Sequence, residues 1–413
     1  MKVWLIQTGE KIPLQNRERK LRTSLLADSL IRRGHSVLWW VSAFDHFKKE
    51  WIFHKDTEIS IKKGLKIIAL KGTGYKKNVS LSRYFDHRII AWKFKKWADS
   101  LQKPNIIVCA TPPHDLAYEA VLFAKRNSVP IIIDVRDQWP DIFVNHFFPL
   151  FQKFIKLLLY RDFQMIKKVM KKADALVSMM NTLLKWGLDY AGRNSTWKDR
   201  VFYLGYKKTN INTKNKSEKS LEIEEFSKDK FVVTFIGTFA NYHNPSILLE
   251  SAKKLRVIKS LAFVIAGEGE LFARLRQRSI ELPNVLLPGW LNQEEIENLL
   301  KHSHIGICPT PFIADFFPNK MFLYLSAGLP VISAFQGDSK EIIEKYQIGF
   351  YYPPNDVGAL NECIIKLYKD QVLYKRMSEN AKKIFKEMFD ADKIYEEYAE
   401  HVERVAKEYK QLC

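Results

Sequence analysis

The chain lacks any apolar run approaching the ~18 residues that a membrane-crossing helix needs, so none of its 413 residues reads as a span. Its four cysteines, Cys109, Cys308, Cys363 and Cys413, are far apart and show no metal spacing. A reduced, cytoplasmic interior suits them better than a disulfide framework. The start, MKVWLIQTGE, has no small-residue cleavage site and reads as a first strand. No Asp-x-Asp pair stands at a strand end to hold a divalent cation, and no pyridoxal-type lysine setting is present. The positive charge comes without any recognisable nucleic-acid reading element. Disorder is not indicated either, since 46% apolar and 13% aromatic content supports two cores.

What the chain does have is charge of one sign in one place. The net charge is +20. Residues 1–205 hold 37 lysines and arginines against 18 aspartates and glutamates, an excess of +19 that leaves +1 for the remainder. That half should meet an anionic partner. Two stretches in it interleave basic and apolar residues at helical spacing: 146–172, with seven lysines and arginines, and Arg83 to Trp97. Each alone suits a core helix with a solvated basic face equally well. Two in one basic half favour helices lying on an anionic lipid surface.

Strands and helices alternate along the chain. Val3–Ile6, a loop holding Gly9, an amphipathic helix from Leu21 to Arg33, Gly34-His35 and a strand from Ser36 make a βαβ unit and imply a parallel sheet. Ile106–Cys109 runs into ATPPHD, and Ile131–Val135 into DVRDQWPD. Loops after strand C-termini line the ligand crevice of such sheets, which makes His114, Arg136 and Asp137 candidates. Asp134 and Arg136 equally suit a structural ion pair. Residues 206–230 are polar and read as a linker. The rhythm then repeats, with Phe231–Ile236 before Gly237-Thr238, Ala262–Ala266 before Gly267-Glu268-Gly269-Glu270, and Val285–Leu287 before Gly289-Trp290. Two doubly wound α/β domains are expected, 1–205 and 231–390, with a last helix over 391–413.

The most informative stretch is PTPFIADFFPNKMFLYLSAGLPVIS, Pro309 to Ser333. Pro318-Asn319 opens a helix that Gly328 ends, with Lys320 in its first turn. Helix starts carry unpaired N–H groups and positive dipole character. A lysine there is unfavourable unless an anion faces it, so this is a candidate phosphate site; a solvated lysine at an ordinary helix start fits the pattern as well.

PNKMFLYLSAGLPVI resembles the donor-site signature of family 4 glycosyltransferases, matching at the proline, lysine, Phe322, Tyr324, Leu325, Gly328 and Pro330. The strings F-x-G, I-A-G-x-G and G-W-L follow the family order, and DVRDQWPD resembles a string of a bacterial subset. The resemblance implies a GT-B fold, two Rossmann-like domains facing a central cleft, with the last helix crossing back to the first domain. It implies a retaining transferase with a nucleotide-sugar donor, no cofactor and no metal. Lys320 would stabilise the diphosphate leaving group, Asp315 would meet donor hydroxyls, and Asp137 would occupy a catalytic position. Gly9, Gly237, Thr238, His243, Gly267, Glu268, Gly269, Pro318, Asn319, Met321 and Phe322 would surround the donor, with His114 and Arg136 on the acceptor side. Two departures stand out: Leu323 replaces the second glutamate of the family pair, and Thr238 replaces a diphosphate-gripping arginine. The basic half points to a lipid-linked saccharide as acceptor, at the inner face of the cell membrane. A non-catalytic partner subunit and a sugar-nucleotide epimerase are the competing expectations.

Overall fold

The structure, a computed structural model, describes residues 1–14, 20–145, 147–208 and 217–412. The chain divides into two units, Met1–Leu204 with Asp392–Cys413, and Gly205–Ala391.

The first unit runs β1 (Lys2–Ile6), α1 (Arg22–Arg32), β2 (Ser36–Ser42), β3 (Phe44–Asp45), β4 (Glu50–Trp51), β5 (Thr57–Lys62), β6 (Leu65–Leu70), α2 (Leu81–Ala98), β7 (Ile106–Thr111), α3 (His114–Arg126), β8 (Ile131–Val135), α4 (Asp141–Asn145), α5 (Pro149–Leu158), α6 (Tyr160–Lys172), β9 (Ala175–Ser178), α7 (Asn181–Ala191) and β10 (Arg200–Val201). Its main sheet has the order β10-β9-β8-β7-β1-β2-β6-β5. Pairing is parallel except where β5 joins β6. Strands such as IIVCAT and IIIDV are buried throughout, as a sheet covered on both faces requires. Trp4 and Trp40 meet edge to face at 5.4 Å, and Phe94 packs 4.8 Å from Trp40, filling one face of the sheet. The strand order reverses between β1 and β7, and the loops beyond their C-termini meet there.

The second unit runs α8 (Glu218–Ser227), β11 (Phe231–Ile236), α9 (Ser246–Leu255), β12 (Leu261–Ala266), α10 (Phe272–Ser279), β13 (Val285–Gly289), α11 (Gln293–His302), β14 (Ile305–Cys308), α12 (Asn319–Ala327), β15 (Val331–Ser333), α13 (Asp338–Tyr346), β16 (Gly349–Tyr351), α14 (Val357–Lys369) and α15 (Gln371–Ile384). Its sheet is parallel throughout, in the order β13-β12-β11-β14-β15-β16, and reverses between β11 and β14. α12 is clamped at that reversal. The Tyr324 hydroxyl accepts from Ile236 N–H at 2.8 Å, and its ring fills the space where any side chain at Gly306 would stand.

The linker expected over 206–230 is corrected in its second part. Residues 209–216 lie outside the described residues, but Ser217 caps α8, and Ile223 is buried with Val232, Val264 and Leu299. Fully buried Ile223, with half-buried Phe226 packed on the same cluster, holds this largely polar helix to the sheet. The last helix, α16 (Ala391–Leu412), belongs with the first unit from Asp392 on. Tyr395 and Tyr398 are buried there; Tyr398 stacks on Phe202 at 4.4 Å and lies 5.1 Å from the Arg22 guanidinium.

The two basic stretches prove to differ from each other. Arg83–Trp97 is the body of α2, which buries Ile90, Ala91 and Phe94 while exposing Leu81, Phe85 and Trp92. The segment 146–172 is broken at Leu159. α6 buries Met165, Ile166, Val169 and Met170 and is a core helix with a basic face. α5 buries no residue at all, with Phe148 80% and Leu150 83% exposed. No helix among the described residues is long and apolar enough to cross a membrane.

Candidate functional site

In the second unit, three loops meet beyond β11, β12 and β13. Gly237 N–H donates to Ala266 O, Gly267 N–H to Gly289 O, and Phe239 N–H to Glu268 O at 2.8 Å. Gly267 has φ +141°, and a Cβ there would overlap Gly237 O; Gly269, at φ +149°, faces Phe239 O in the same way. Close backbone approach is thus the reason for both glycines. Beside them lies a cavity of about 190 Å³ lined by Gly237, Thr238, Gly267, Glu268 and Trp290.

Lys320 reaches Gly237 from the first turn of α12. Pro318 supplies no side-chain cap to that helix. The Lys320 Nζ lies 4.1 Å from the centre of the Phe235 ring, and a Cβ at Gly237 would sit 2.9 Å from it. The stem is partly exposed, but the ammonium is buried and has no hydrogen-bond partner. Burial depresses its pKa from 10.5 to about 8. A cation over a ring recovers part of the lost hydration, but an unpaired buried ammonium remains costly. The fold therefore holds a cationic hole at a helix start, the arrangement an anion would complete. His243 adds a second unsatisfied group, its Nδ1 buried without a partner. Burial, then the neighbouring Lys320, lowers that imidazole to about 4, so it is neutral here.

Other expected donor residues are placed differently. Met321 and Phe322 are core side chains; Phe322 stacks on Phe317 at 4.7 Å, and the Met321 N–H is spent on Pro318 O. The donor contact expected of those two is corrected on that ground, while exposed Asn319 stays available. The Asp315 backbone bridges to Gln336, and its carboxylate packs against Gly337 at the start of α13. Leu323, already a departure from the family pattern in the sequence, presents a buried apolar side chain.

In the first unit, the reversal between β1 and β7 carries a cavity of about 200 Å³, whose lining includes Gly9, Arg136 and Asp137. In front of the Gly9 Cα, a side chain would meet only Gln7 Oε1, at 3.6 Å. Arg136 is largely committed: it bonds Asp134 at 2.9 Å, Thr23 at 2.8 Å, and Glu10. Arg22 completes the group through two further bonds to Asp134. Asp134 and Arg136 thus form the structural ion pair. Burial would raise the Asp134 carboxyl, but Arg22 and Arg136 pull it below the usual range. Asp137 is raised by burial, against the opposing pull of the Gln138 N–H, Trp139 and Arg83. His114 corrects the expectation. It is 3% exposed and bonded through Nε2 to Asp162 at 2.7 Å, so it braces α3 against α6 and does not line the cavity.

The lining residues missed from the sequence include His46, Tyr75, Arg83, Asp86 and His87. The Asp86 carboxylate fills the space in front of Gly72 and accepts from Gly74 N–H at 2.7 Å, which turns the chain so that Tyr75 reaches the cavity. The glycine pair before Tyr75 was the available signal. A wider groove of about 1030 Å³, including Phe231, Ser260 and His304, opens at the opposite, N-terminal ends of the second unit's strands, away from Lys320. Among the described residues no group of three His, Cys, Asp or Glu side chains could hold a metal ion.

With this geometry in place, the comparisons are specific. Residues 216–384 match the family of group 1 glycosyl transferases. That match contains Lys320, the three joined loops and Trp290. Over 205 residues the chain is 27% identical to the O-antigen chain mannosyltransferase C of Escherichia coli, covering 49% of this chain and 54% of the relative. The chain thus spans about half the length of that curated relative. The fold is shared with Anabaena HepE, solved with UDP, at a TM-score of 0.66 and 15% identity over 98% of this chain and 99% of that one. It is likewise shared with WaaG, a glycosyltransferase involved in lipopolysaccharide biosynthesis, at 0.60 and 13% identity over 97% and 99%. These group 1 and GT-B likenesses agree with two parallel, doubly wound sheets as the fold class.

Proposed function

We propose that the chain is a glycosyltransferase that moves a sugar from a nucleoside-diphosphate donor to a lipid-linked saccharide, with retention, in the synthesis of a bacterial surface polysaccharide. The observation that carries this is the buried, unpartnered ammonium of Lys320 at the start of α12. In the transfer, the bond from the sugar's anomeric carbon to the diphosphate breaks and its electron pair leaves with the diphosphate, while the acceptor hydroxyl oxygen bonds to that carbon on the same face and its proton passes to the departing diphosphate. A fixed cation, already desolvated, stabilises that charge without reorganising. Thr238 leaves its loop without a cation, so Lys320 takes a larger share, with His243 beside it. Gly237, Gly267 and Gly269 let the backbone close around the nucleotide, and Trp290 with Glu268 lines its cavity. Asp315 meets donor hydroxyls in this reading. On the acceptor side Asp137 receives a hydrogen bond from the attacking hydroxyl. Mannosyl transfer to O-antigen in the E. coli relative, and UDP in HepE, support the donor and pathway class.

The same reading places the enzyme on the inner face of an anionic membrane. α5 supports it: its exposed Phe148, Leu150, Phe151, Phe154, Leu157 and Leu158 are interleaved with Lys153 and Lys156. An interfacial helix has this composition. Two measurements test the proposal. Incubation with UDP-, GDP-, TDP- and CMP-sugars should release nucleotide with one of them, and Lys320→Ala should abolish the release. If no sugar nucleotide in the panel binds or turns over, the transferase reading fails. Flotation with anionic liposomes at low salt tests the membrane part, which absence of binding would remove.

A further inference from the structure

The cations that line the first unit's cavity, Arg83 and Arg136, both already face carboxylates. Arg136 is matched within a buried group of two cations and two anions, Arg22 and Arg136 with Asp134 and Glu10. Arg83 lies near two carboxylates, Asp86 and Asp137, which attract it. The imidazoles add no charge, because burial and then Arg83 hold His46 at about 4 and His87 at about 3. Arg83 is further occupied by aromatic faces: its guanidinium lies 4.7 Å from the Trp139 ring centre and 5.5 Å from that of Tyr75. Tyr75 is fixed in turn by a 2.6 Å bond between its hydroxyl and His46 Nδ1. An added anion would share one guanidinium with two carboxylates already present. What the wall offers instead is mixed hydrogen-bond donors and acceptors beside aromatic rings, the lining that an uncharged polyol ring requires.

We infer that this cavity receives an uncharged sugar ring, the terminal unit of the acceptor, and that Tyr75, His46 and Arg83 read its hydroxyl pattern. The inference rests on the transferase reading and narrows its acceptor. A phosphate-bearing carrier presented directly, or a uronic acid, is not the group received here. It also orders the chemistry: an earlier transfer must already have placed a neutral sugar on the carrier, so this enzyme extends a chain and does not begin one.

Saturation-transfer NMR on the full chain tests this with octyl glycosides of neutral hexoses and N-acetylhexosamines, each paired with its 6-carboxylate or 6-phosphate counterpart. At least one neutral glycoside should bind, and its charged counterpart should bind tenfold or more weakly. Tyr75→Ala should weaken the neutral glycoside by roughly tenfold, about 1.4 kcal/mol, while leaving the Kd for free nucleotide diphosphate unchanged; unshifted melting transitions certify that both units are folded. A charged glycoside binding as well as its neutral partner would overturn the inference. So would binding of nucleotide but of no glycoside, or glycoside binding indifferent to Tyr75→Ala. Failure of nucleotide to bind while a neutral glycoside still does would count against the donor reading and not against this cavity.

Discussion

On the proposed reading, the buried ammonium of Lys320 makes donor affinity a function of pH in a range where the diphosphate of a sugar nucleotide does not titrate. In the ligand-free protein its pKa lies at about 8, below the 10.5 of a free lysine, because burial disfavours the charged form. A diphosphate placed against the ammonium reverses that and holds it charged. Above pH 8 the free protein must therefore take up a proton to bind. The expected Kd rises with 1 + 10^(pH − 8), about tenfold from pH 7 to pH 9, or ~1.4 kcal/mol. Calorimetry of nucleotide diphosphate binding, run at each pH in two buffers of different ionisation enthalpy, reads both the affinity and the proton uptake. Uptake should approach one proton at pH 9 and be near zero at pH 7. The same linkage acts on folding with its own sign. A lysine whose folded pKa is lowered destabilises the fold at low pH, and the penalty fades as pH climbs from about 8 towards 10.5. Its full size is roughly 3 kcal/mol at 1.36 kcal/mol per pH unit. Lys320→Met should thus stabilise the ligand-free second unit at pH 7 while abolishing nucleotide binding. An affinity flat from pH 7 to 9.5 with no proton uptake would refute the argument, since the ammonium would then not face the phosphates.

Further outcomes follow from other parts of the fold. Phe148→Asp together with Leu157→Asp should prevent liposome flotation without lowering the melting temperature, because α5 buries nothing; each apolar side chain withdrawn from water contributes about 1.5–3 kcal/mol. Gly267→Ala should destabilise the second unit by more than about 2 kcal/mol, since its Cβ would overlap Gly237 O; denaturant melting reads it. Asp134→Asn should cost about 3–5 kcal/mol by leaving Arg22 and Arg136 short of a buried counter-charge. In the native chain the depressed Asp134 pKa stabilises the fold above roughly pH 4, and that contribution is lost as pH falls below it, an acid-side dependence that Asp134→Asn should flatten in pH-resolved melts.

Much of this was legible in the sequence because it depends on local pattern. Lys320 could be placed because Pro318 and Gly328 bracket α12 chemically, one opening the helix and the other ending it in left-handed geometry at φ 76°. The glycines 267 and 269 could be found as turn signals, though the carbonyls they approach could not. Basic amphipathic spacing could not separate α5 from α6, since the period is the same whether the apolar face meets a core or a solvent. His114 fell in the right loop but turned inward to Asp162, a partner 48 residues away. Tyr75 reaches the cavity through a turn built on the Asp86 carboxylate, and neither composition nor periodicity encodes that contact.

The placement of α16 bears on how the chain acquires its structure. Tyr395, Tyr398, Val402 and Val405 are buried in a unit whose remaining residues end at Leu204. During synthesis the first sheet is finished early, yet the side of it over Arg22 and Phe202 stays open to water while all of residues 205–391 emerge. The second unit, continuous in sequence, can close first. The earlier-made half then waits for α16: a chain cut back to residue 391 would keep every residue of the second unit while the first would lack Tyr395 and Tyr398 over Phe202 and Arg22.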